Sequence, residues 1–238
     1  MSEPERTIRH VVVVATKKAH KVQELQLLLK DLPVDLVGVD EKFRDAPIVV
    51  EDGLTFEANA EKKARAIANH TMMLSLADDS GLEVDILGGA PGVRSARYAR
   101  ERASDAENNA ALIAALKTEG ADDVNIQAKA RFRCVLALVD PYSNGGATQF
   151  TEGTCEGYVT TAPRGAHGFG YDPLFVVERL GKTMAELTDV EKAAVSHRGE
   201  ATRRMAALLR ATLQLRETQF ASAHLAEGAQ ASATPERG

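Results

Sequence analysis

The sequence predicts an α/β protein built on a mixed β-sheet, and two observations carry this prediction. Up to residue 79, β-branched runs alternate with segments whose apolar residues recur at helical spacing, the pattern of helices layered on strands. Further along, two strand-like runs flank the turn sequence PYSNGG, which predicts an antiparallel hairpin. A chain of 238 residues can form one large domain or two small lobes around one core.

The segment up to residue 79 predicts three strands and two helices. The run HVVVVAT at 10–16 predicts a buried strand, and the helical spacing in HKVQELQLLLKDL at 20–32 predicts a helix after it. DLVGV at 35–39 predicts a second strand, and FEANAEKKARAIANH at 56–70 a second helix. We expect the third strand over MLSLADD at 73–79, so that it ends on two adjacent carboxylates.

The rest of the chain predicts more elements around two glycine-rich loops. LGGAPGVRSARYA leads into a helix that Ser104 or Asp105 caps, and PRGAHGFGYDPLFVV feeds a strand. The other predicted elements are helices over 105–117, 184–196 and 199–217 and strands over 130–140 and 148–160. After about Thr218 the composition turns to Ala, Ser, Gly, Gln and Glu, which predicts a single domain over 8–216 and a frayed tail over 217–238.

Composition narrows the class of protein. Apolar residues make up 44% and charged residues 26% of the chain, and the net charge is -5, which indicates a globular protein without the basic field that nucleic acid requires. Cys134 and Cys155 are widely spaced, which argues against a disulfide framework or a structural zinc site. No run approaches the roughly 20 apolar residues of a membrane span, and the N-terminus lacks a signal-peptide pattern. We therefore expect a cytoplasmic protein.

The first polar cluster follows the first predicted strand. It crowds lysines and a histidine onto the start of a helix, in the order Thr16, Lys17, Lys18, Ala19, His20, Lys21. The free N–H groups of a helix N-terminus favour anions, so the cluster is a candidate phosphate site. It lacks the glycines of a Walker loop, and a solvated basic turn is the alternative interpretation.

Two clusters carry carboxylates. Glu51 precedes a helix that holds Asn59 and Lys63, and these suit a hard cation and a phosphate, although surface charges paired along a helix are the alternative. Asp78 and Asp79 close a predicted strand. Oxygen ligands suit Mg²⁺, and a carboxylate beside such a metal can activate water; turn or capping aspartates are the alternative.

The fourth cluster combines GFGYDP with EKAAVSHRG. Phe169 or Tyr171, held between glycines such as Gly170, offers a stacking face for a nucleobase. The donors and acceptors for the edge of that base are Asp172, Lys192, His197 and Arg198. Alternatively, SHRG only caps a helix.

The chain resembles a known enzyme family from about Val11 to Leu209. The segments ADDSGLEVDILGGAPGVRSARYA, GFGYDPLF and EKAAVSHRGEA, in this order and spacing, look like the inosine/xanthosine triphosphate pyrophosphatase family. The resemblance implies a homodimer whose subunits have two lobes around a long twisted mixed sheet, with the nucleotide in the groove between them. It also implies Mg²⁺-dependent hydrolysis of non-standard purine triphosphates (ITP, dITP and XTP) to the monophosphate and pyrophosphate.

The resemblance also implies roles for individual residues. Asp79 is the catalytic base and a metal ligand, Glu51 is the other metal ligand, and Asp78 lies beside them. The implied phosphate and substrate contacts are the 16–21 turn, Lys63, Asn59 in support, and Ser80. Phe169 stacks on the base, and the base-edge residues are Asp172, Lys192, His197 and Arg198. A cationic donor such as Arg198 favours the 6-keto oxygen of hypoxanthine or xanthine over the amino group of adenine.

Three positions differ from the usual family pattern. Lys18 stands where the phosphate turn usually has an asparagine, Ala58 where many relatives have an acidic residue, and His167 where a glycine is common. Two other functions remain open at this point. One is a Maf-like pyrophosphatase for modified pyrimidine triphosphates, and the other is a nucleotide-binding regulator without turnover.

Overall fold

A single mixed sheet organises the part of the chain that the computed structural model describes, residues 9–120, 127–143 and 146–232, without the side chains of 223–232. Its strands, in chain order, are β1 (His10–Val14), β2 (Val34–Gly38), β3 (Ser75–Val84), β4 (Ala128–Val139), β5 (Thr148–Val159), β6 (Phe175–Val177) and β7 (Lys182–Thr183). The helices are α1 (Ala19–Leu28), α2 (Val39–Lys42), α3 (Phe56–Thr71), α4 (Asp105–Thr118), α5 (Asp189–Val195) and α6 (His197–Ser232).

The strand order is β2-β1-β3-β4-β5-β6-β7, and the sheet mixes both pairing directions. β1 pairs in parallel with β2 and β3, whereas the pairs from β3–β4 to β6–β7 are antiparallel. The long strand β4 pairs with β3 on one side and with β5 on the other, along the whole length of each neighbour. We call these three central strands the spine of the sheet. The predicted α/β fold with a mixed sheet is therefore confirmed.

Three apolar clusters form the core of the described part of the chain. At the β1 end, one cluster joins α1 and α6 to one sheet face through residues such as Leu25 and Leu209, and another joins α3 to the opposite face through residues such as Ala64. The third cluster packs α4 against the far halves of β3 and β4, with Leu112 and Phe132 among its members. The core thus divides into two regions along the spine, in keeping with two lobes on one sheet.

The third strand runs further than its sequence predicts. β3 continues through Asp78 and Asp79 to Val84, because β4 pairs with every residue of it. The parallel partner β1, by contrast, ends opposite Leu76. The prediction that the two carboxylates end a strand is therefore wrong: they lie in mid-strand, at the point where the neighbour on one side stops.

Other elements also differ from the prediction. β7, α2 and the 3-10 turns at Asp85–Leu87 and Gly92–Arg97 are not predicted. The helix expected over 184–196 is a 3-10 turn followed by α5, because Thr188 forms a new capping box with Glu191. The predicted frayed tail is helical up to Ser232, since its Ala-rich composition favours helix; residues 233–238 lie outside the described residues.

Candidate active site

Asp78 and Asp79 point to opposite faces of the sheet, because successive side chains of a strand alternate. Asp78 meets Lys21 of α1 and Arg198 of α6 on one face. Asp79 meets Lys63 of α3 on the other face. The two neighbouring carboxylates therefore have separate partners.

Asp78 is the centre of a buried ion cluster. The Arg198 Nε donates to Asp78 Oδ2 at 2.7 Å, the Cys134 thiol donates to the same oxygen at 3.2 Å, and Lys21 Nζ and the Ser80 hydroxyl donate to Oδ1. Burial alone would raise the pKa of Asp78, but Arg198 and Lys21 outweigh it and hold this pKa well below its ordinary value. Asp78 is therefore an ionised scaffold group.

Asp79 shares one cation with Glu51. Lys63 Nζ donates to Asp79 Oδ1 at 2.8 Å, to Glu51 Oε2 at 2.6 Å and to the backbone carbonyl of Asp78 at 2.9 Å. Burial raises the pKa of Asp79 to about 6 despite Lys63. The pKa of Glu51 is lowered, because the attraction of Lys63 outweighs the effect of burial on this carboxylate. A carboxylate with a pKa near neutrality is suited to accept a proton.

The loop before α3 brings Glu51 to this point. Asn59 accepts a hydrogen bond from Gly53 N at 2.8 Å and is buried, so it fixes the loop to the helix. Arg97 donates to the backbone carbonyl of Glu51 at 2.7 Å. Asn59 therefore holds the loop that carries Glu51, and its predicted support of the phosphate contacts stays a prediction.

A pocket of about 290 Å³ opens beside this carboxylate pair. Its polar lining combines the carboxylate pair with the hydroxyls of Thr16 and Ser80 and with five cationic side chains. The cations are Lys17, Lys18, Lys21, Lys63 and Arg97. We call it the phosphate pocket. Its positive charges surround two carboxylates, a combination that suits a polyphosphate with its counter-cation.

The 16–21 turn contributes unequally to the phosphate pocket. Lys18 is the N-cap residue of α1 and provides no side-chain cap, so the first N–H groups of the helix are free to meet an anion. Partial burial and Lys21 lower the pKa of Lys18. Lys17 lies at the surface, 3.7 Å from Asp40. Ala19 and His20 do not line this pocket.

The predicted base-site residues gather around Phe169. Lys192 Nζ lies 4.4 Å and Arg198 Cζ 5.6 Å from the centre of the Phe169 ring. Asp172 Oδ2 accepts hydrogen bonds from Phe169 N at 2.9 Å and from Lys192 Nζ at 2.8 Å. Burial raises the pKa of Asp172, against the effect of Lys192. Asp172 therefore anchors both the loop and the lysine.

His197, Tyr171 and Gly170 have identifiable structural partners. The His197 ring stacks on Phe132 at 4.7 Å, and burial followed by Arg198 holds its pKa well below the ordinary value, so it is neutral. The Tyr171 hydroxyl donates to Ser95 O at 2.9 Å, so Phe169 is the aromatic residue left for stacking. Gly170 has a φ of 60° and donates to Asp105.

Phe169 lies between two further pockets. A small one of about 70 Å³ shares Lys18, Lys21 and Ser80 with the phosphate pocket and is also lined by His197 and Arg198. The other, of about 290 Å³, lies between α1 and α5. We call it the α1–α5 pocket; its lining includes His20, Glu24, Leu27, Phe169, Lys192 and Ser196.

Sequence reasoning missed two polar residues of the site. Glu24 accepts from Arg198 at 2.5 Å and lies 2.9 Å from Lys192 Nζ, so it links the two predicted base-edge cations. The sequence feature that could have indicated Glu24 is its position on the same helix, one turn after the 16–21 cluster. Arg97 carried no signal beyond the glycine-rich loop that contains it. Two of the positions that differ from the usual family pattern are His167 and Ala58. His167 is exposed, and Glu57, the neighbour of Ala58, pairs with Arg133.

The carboxylates of the phosphate pocket fit one divalent cation. Among the described residues, no group of three or more His, Cys, Asp or Glu side chains forms a protein-only metal site. Mg²⁺ commonly takes one or two carboxylates together with water and substrate phosphates, and Glu51 with Asp79 offers such a pair. Asp78, predicted as a third ligand, does not fit, since both of its oxygens already accept hydrogen bonds inside the scaffold.

Comparison with known proteins identifies the family. The model of the Ham1 family matches residues 12–208, which include every predicted site residue. The chain belongs to the Ham1 family. The match to the Ham1 family ends within α6, so the last part of that helix lies beyond it.

Curated relatives and solved structures agree with the Ham1 assignment. The proteins named dITP/XTP pyrophosphatase from Syntrophobacter fumaroxidans and Escherichia coli O157:H7 are 51% and 46% identical to this chain; the matches cover 80% and 84% of it and 78% and 98% of the relatives. The HAM1 protein from Coxiella burnetii is 40% identical, with a TM-score of 0.74 over 84% of this chain and 98% of its own. The resemblance seen in the sequence is thus confirmed.

Proposed function

We propose that this protein hydrolyses the non-standard purine nucleoside triphosphates ITP, dITP and XTP to the monophosphate and pyrophosphate, and so removes them from the nucleotide pool. One observation carries the proposal: Asp79 and Glu51 share Lys63 in a pocket that is otherwise lined by the basic 16–21 turn. Support also comes from the relatives, whose names state dITP and XTP as substrates.

The chemistry follows from the positions of the charges. Lys18, Lys21, Lys63 and the N-terminus of α1 bind the phosphates. Asp79 accepts a proton from the attacking water, whose oxygen bonds to phosphorus while the bond between the α- and β-phosphates breaks and pyrophosphate leaves. Mg²⁺, bound by Glu51 and Asp79, would neutralise charge on the phosphates. Positioning and electrostatics are therefore the main sources of rate.

The base site supplies the selectivity in this proposal. Phe169 offers an aromatic face, and the cations beside it, Lys192 and Arg198, are hydrogen-bond donors that match a 6-keto oxygen. Adenine presents an amino group there and leaves a buried donor without a partner, which costs binding energy. This assignment separates hypoxanthine and xanthine from adenine. Discrimination against guanine requires contacts at the 2-position.

The remaining parts of the proposal concern assembly and location. We propose that the enzyme works as a homodimer, which rests on the family resemblance, and that it works in the cytoplasm, which rests on the composition of the chain. Both cysteines are free and buried, which suits a reducing compartment. Among the described residues, none of the helices combines the length and the apolar character needed to cross a bilayer.

A hydrolysis panel tests the proposal. The protein is incubated with Mg²⁺ and each of ITP, dITP, XTP, ATP, GTP and modified pyrimidine triphosphates, and pyrophosphate and orthophosphate are measured separately. We expect pyrophosphate from the first three and little product from ATP. Preference for the pyrimidines would favour the Maf-like alternative, and tight nucleotide binding without product would favour the regulator.

A further inference from the structure

His20 faces the base-stacking residue and not the phosphate pocket. It is the second residue of α1, and its ring centre lies 3.8 Å from that of Phe169, with 32° between the ring planes. Both rings line the α1–α5 pocket. Lys18 and Lys21 of the same turn line the phosphate pocket, so the turn divides its side chains between two pockets.

The charge of the His20 side chain also differs from that of the neighbouring lysines. Burial, followed by Arg198 and Lys18, lowers the pKa of His20 to about 4, so its ring is neutral at pH 7. A neutral imidazole adds no charge to a phosphate site. Its Nε2 is buried and has no hydrogen-bond partner among the described residues. The main contact of the ring is therefore the one with Phe169.

The His20–Phe169 contact leaves no room for a third ring. Stacked aromatic rings have centres several ångströms apart, so a base cannot enter between two rings 3.8 Å apart. We propose that His20 and the nucleobase are alternative partners of Phe169, so that His20 sets how readily the site accepts a base. The inference rests on the proposed function, because it takes Phe169 as the stacking residue.

The surroundings of the two rings match this role. The α1–α5 pocket combines an apolar floor, to which Leu27, Leu28 and Ala193 contribute, with the polar groups of Glu24, Lys192 and Ser196. A flat heterocycle with polar edges needs such a combination of surfaces. Displacement of His20 would give a base access to both the Phe169 face and these polar groups.

The test compares the binding of a ligand that carries a base with the binding of a ligand that lacks one. Native protein and His20→Ala are titrated by calorimetry, with Mg²⁺, against the α,β-methylene analogue of ITP and against inorganic tripolyphosphate. An aromatic pair contributes roughly 0.5–1.5 kcal/mol, so we expect the Kd of the analogue to fall about two- to tenfold in the variant. The Kd of tripolyphosphate should stay the same.

Two further variants define the contrast. Lys18→Met removes a phosphate cation and should weaken the binding of both ligands. His70→Ala, at the far end of α3, should change neither. An unchanged or higher Kd of the analogue in His20→Ala, or an equal change for tripolyphosphate, would overturn the inference. So would a failure of both native protein and His20→Ala to bind the analogue while both bind tripolyphosphate.

A spectroscopic measurement checks the contact directly. In protein with ¹³C-labelled histidines, the ring signal that disappears in His20→Ala should carry an upfield ring-current shift and lose it when the analogue binds. A shift that persists in the complex would contradict displacement. Since neither experiment requires turnover, native protein that binds the analogue but releases no pyrophosphate from ITP would refute the proposed function and leave the His20 test intact.

Discussion

Two neighbouring aspartates have different environments because the strand that carries them alternates its side chains. Asp78 is held by cations inside the scaffold, and its pKa is held well below the ordinary value. Asp79 lies beside a pocket, and burial raises its pKa to about 6. A low pKa suits a permanent counter-ion, whereas a pKa near neutrality suits a group that takes up a proton.

Asp79→Asn should abolish hydrolysis and retain nucleotide binding. The amide keeps the size of the side chain and a hydrogen-bond acceptor for Lys63 but cannot take a proton from water. General-base catalysis contributes about 10²–10⁴-fold, so pyrophosphate release from ITP should fall by at least that factor. Asp52→Asn is the matched control, because it makes the same chemical change at an exposed carboxylate that pairs with exposed Lys62 and does not line the pocket. Near-normal turnover in Asp79→Asn would remove Asp79 from this role.

Asp79 should also make the metal-free protein less stable as the pH rises. The folded-state pKa, about 6, exceeds the unfolded value of about 3.9, so the native state binds more protons between these values. Stability is therefore lost as the pH rises through this window, by up to about 3 kcal/mol. In EDTA, Asp79→Asn should have a higher Tm than native protein at pH 7.5 and a similar one at pH 4. An equal Tm difference at both pH values would contradict this.

At the scale of elements, Arg198 ties the start of α6 to the middle of β3. Its guanidinium is buried and bonds Asp78, Ser80 and Glu24. β5 allows this approach at Gly153, where a Cβ would collide with the backbone of α6 at His197. The predicted base-edge residue thus also joins three elements.

Arg198→Ala should destabilise the fold as well as alter substrate preference. It leaves the Asp78 carboxylate buried with Lys21 as its remaining cation, and breaking a buried pair in this way costs about 3–5 kcal/mol. Urea unfolding of Arg198→Ala and of the double variant Asp78→Asn/Arg198→Met measures the effect. We expect the double variant to be more stable than the single one. The opposite order would mean that the charge on Asp78 does not drive the loss.

The sequence predicted elements better than the partners of side chains. Periodicity located α1, α3, β4 and β5, since long amphipathic or β-branched runs carry a strong signal. It ended β3 too early, because two aspartates have low strand propensity and only the pairing with β4 explains their place. It grouped Asp78 with the metal ligands and His20 with the phosphate cations, since sequence proximity does not show which face or pocket a side chain meets.

At the scale of the whole molecule, the extra length of α6 lies outside the shared fold. The family match ends at residue 208, and among the side chains of α6 that the structure describes, up to residue 222, Leu209 and Leu213 are the last apolar core residues. Beyond them, Leu215 and Phe220 are exposed. The sheet, the pockets and their ion clusters therefore lie in the part of the chain that precedes this extension.

Removal of residues 219–238 should leave both activity and core stability nearly unchanged. Among the side chains that the structure describes, those up to residue 222, the deletion removes none that belongs to the apolar clusters or the pockets. We expect kcat/KM for ITP within about twofold of native and a change in unfolding free energy of about 0.5 kcal/mol or less, typical for surface changes. Deletion from residue 209 onward is the contrast: it removes buried Leu209 and Leu213 and should cost several kcal/mol. Equal effects of the two deletions would mean that the extension stabilises the fold.

The pleat of β3 constrains how this strand can change. Deletion or insertion of a single residue just before Asp78 would move every later side chain of β3 to the opposite face of the sheet. Asp78 would then point toward the phosphate pocket and Asp79 toward Arg198. Both the architecture and the catalyst would fail together. We therefore expect length changes here to be tolerated only in steps of two residues.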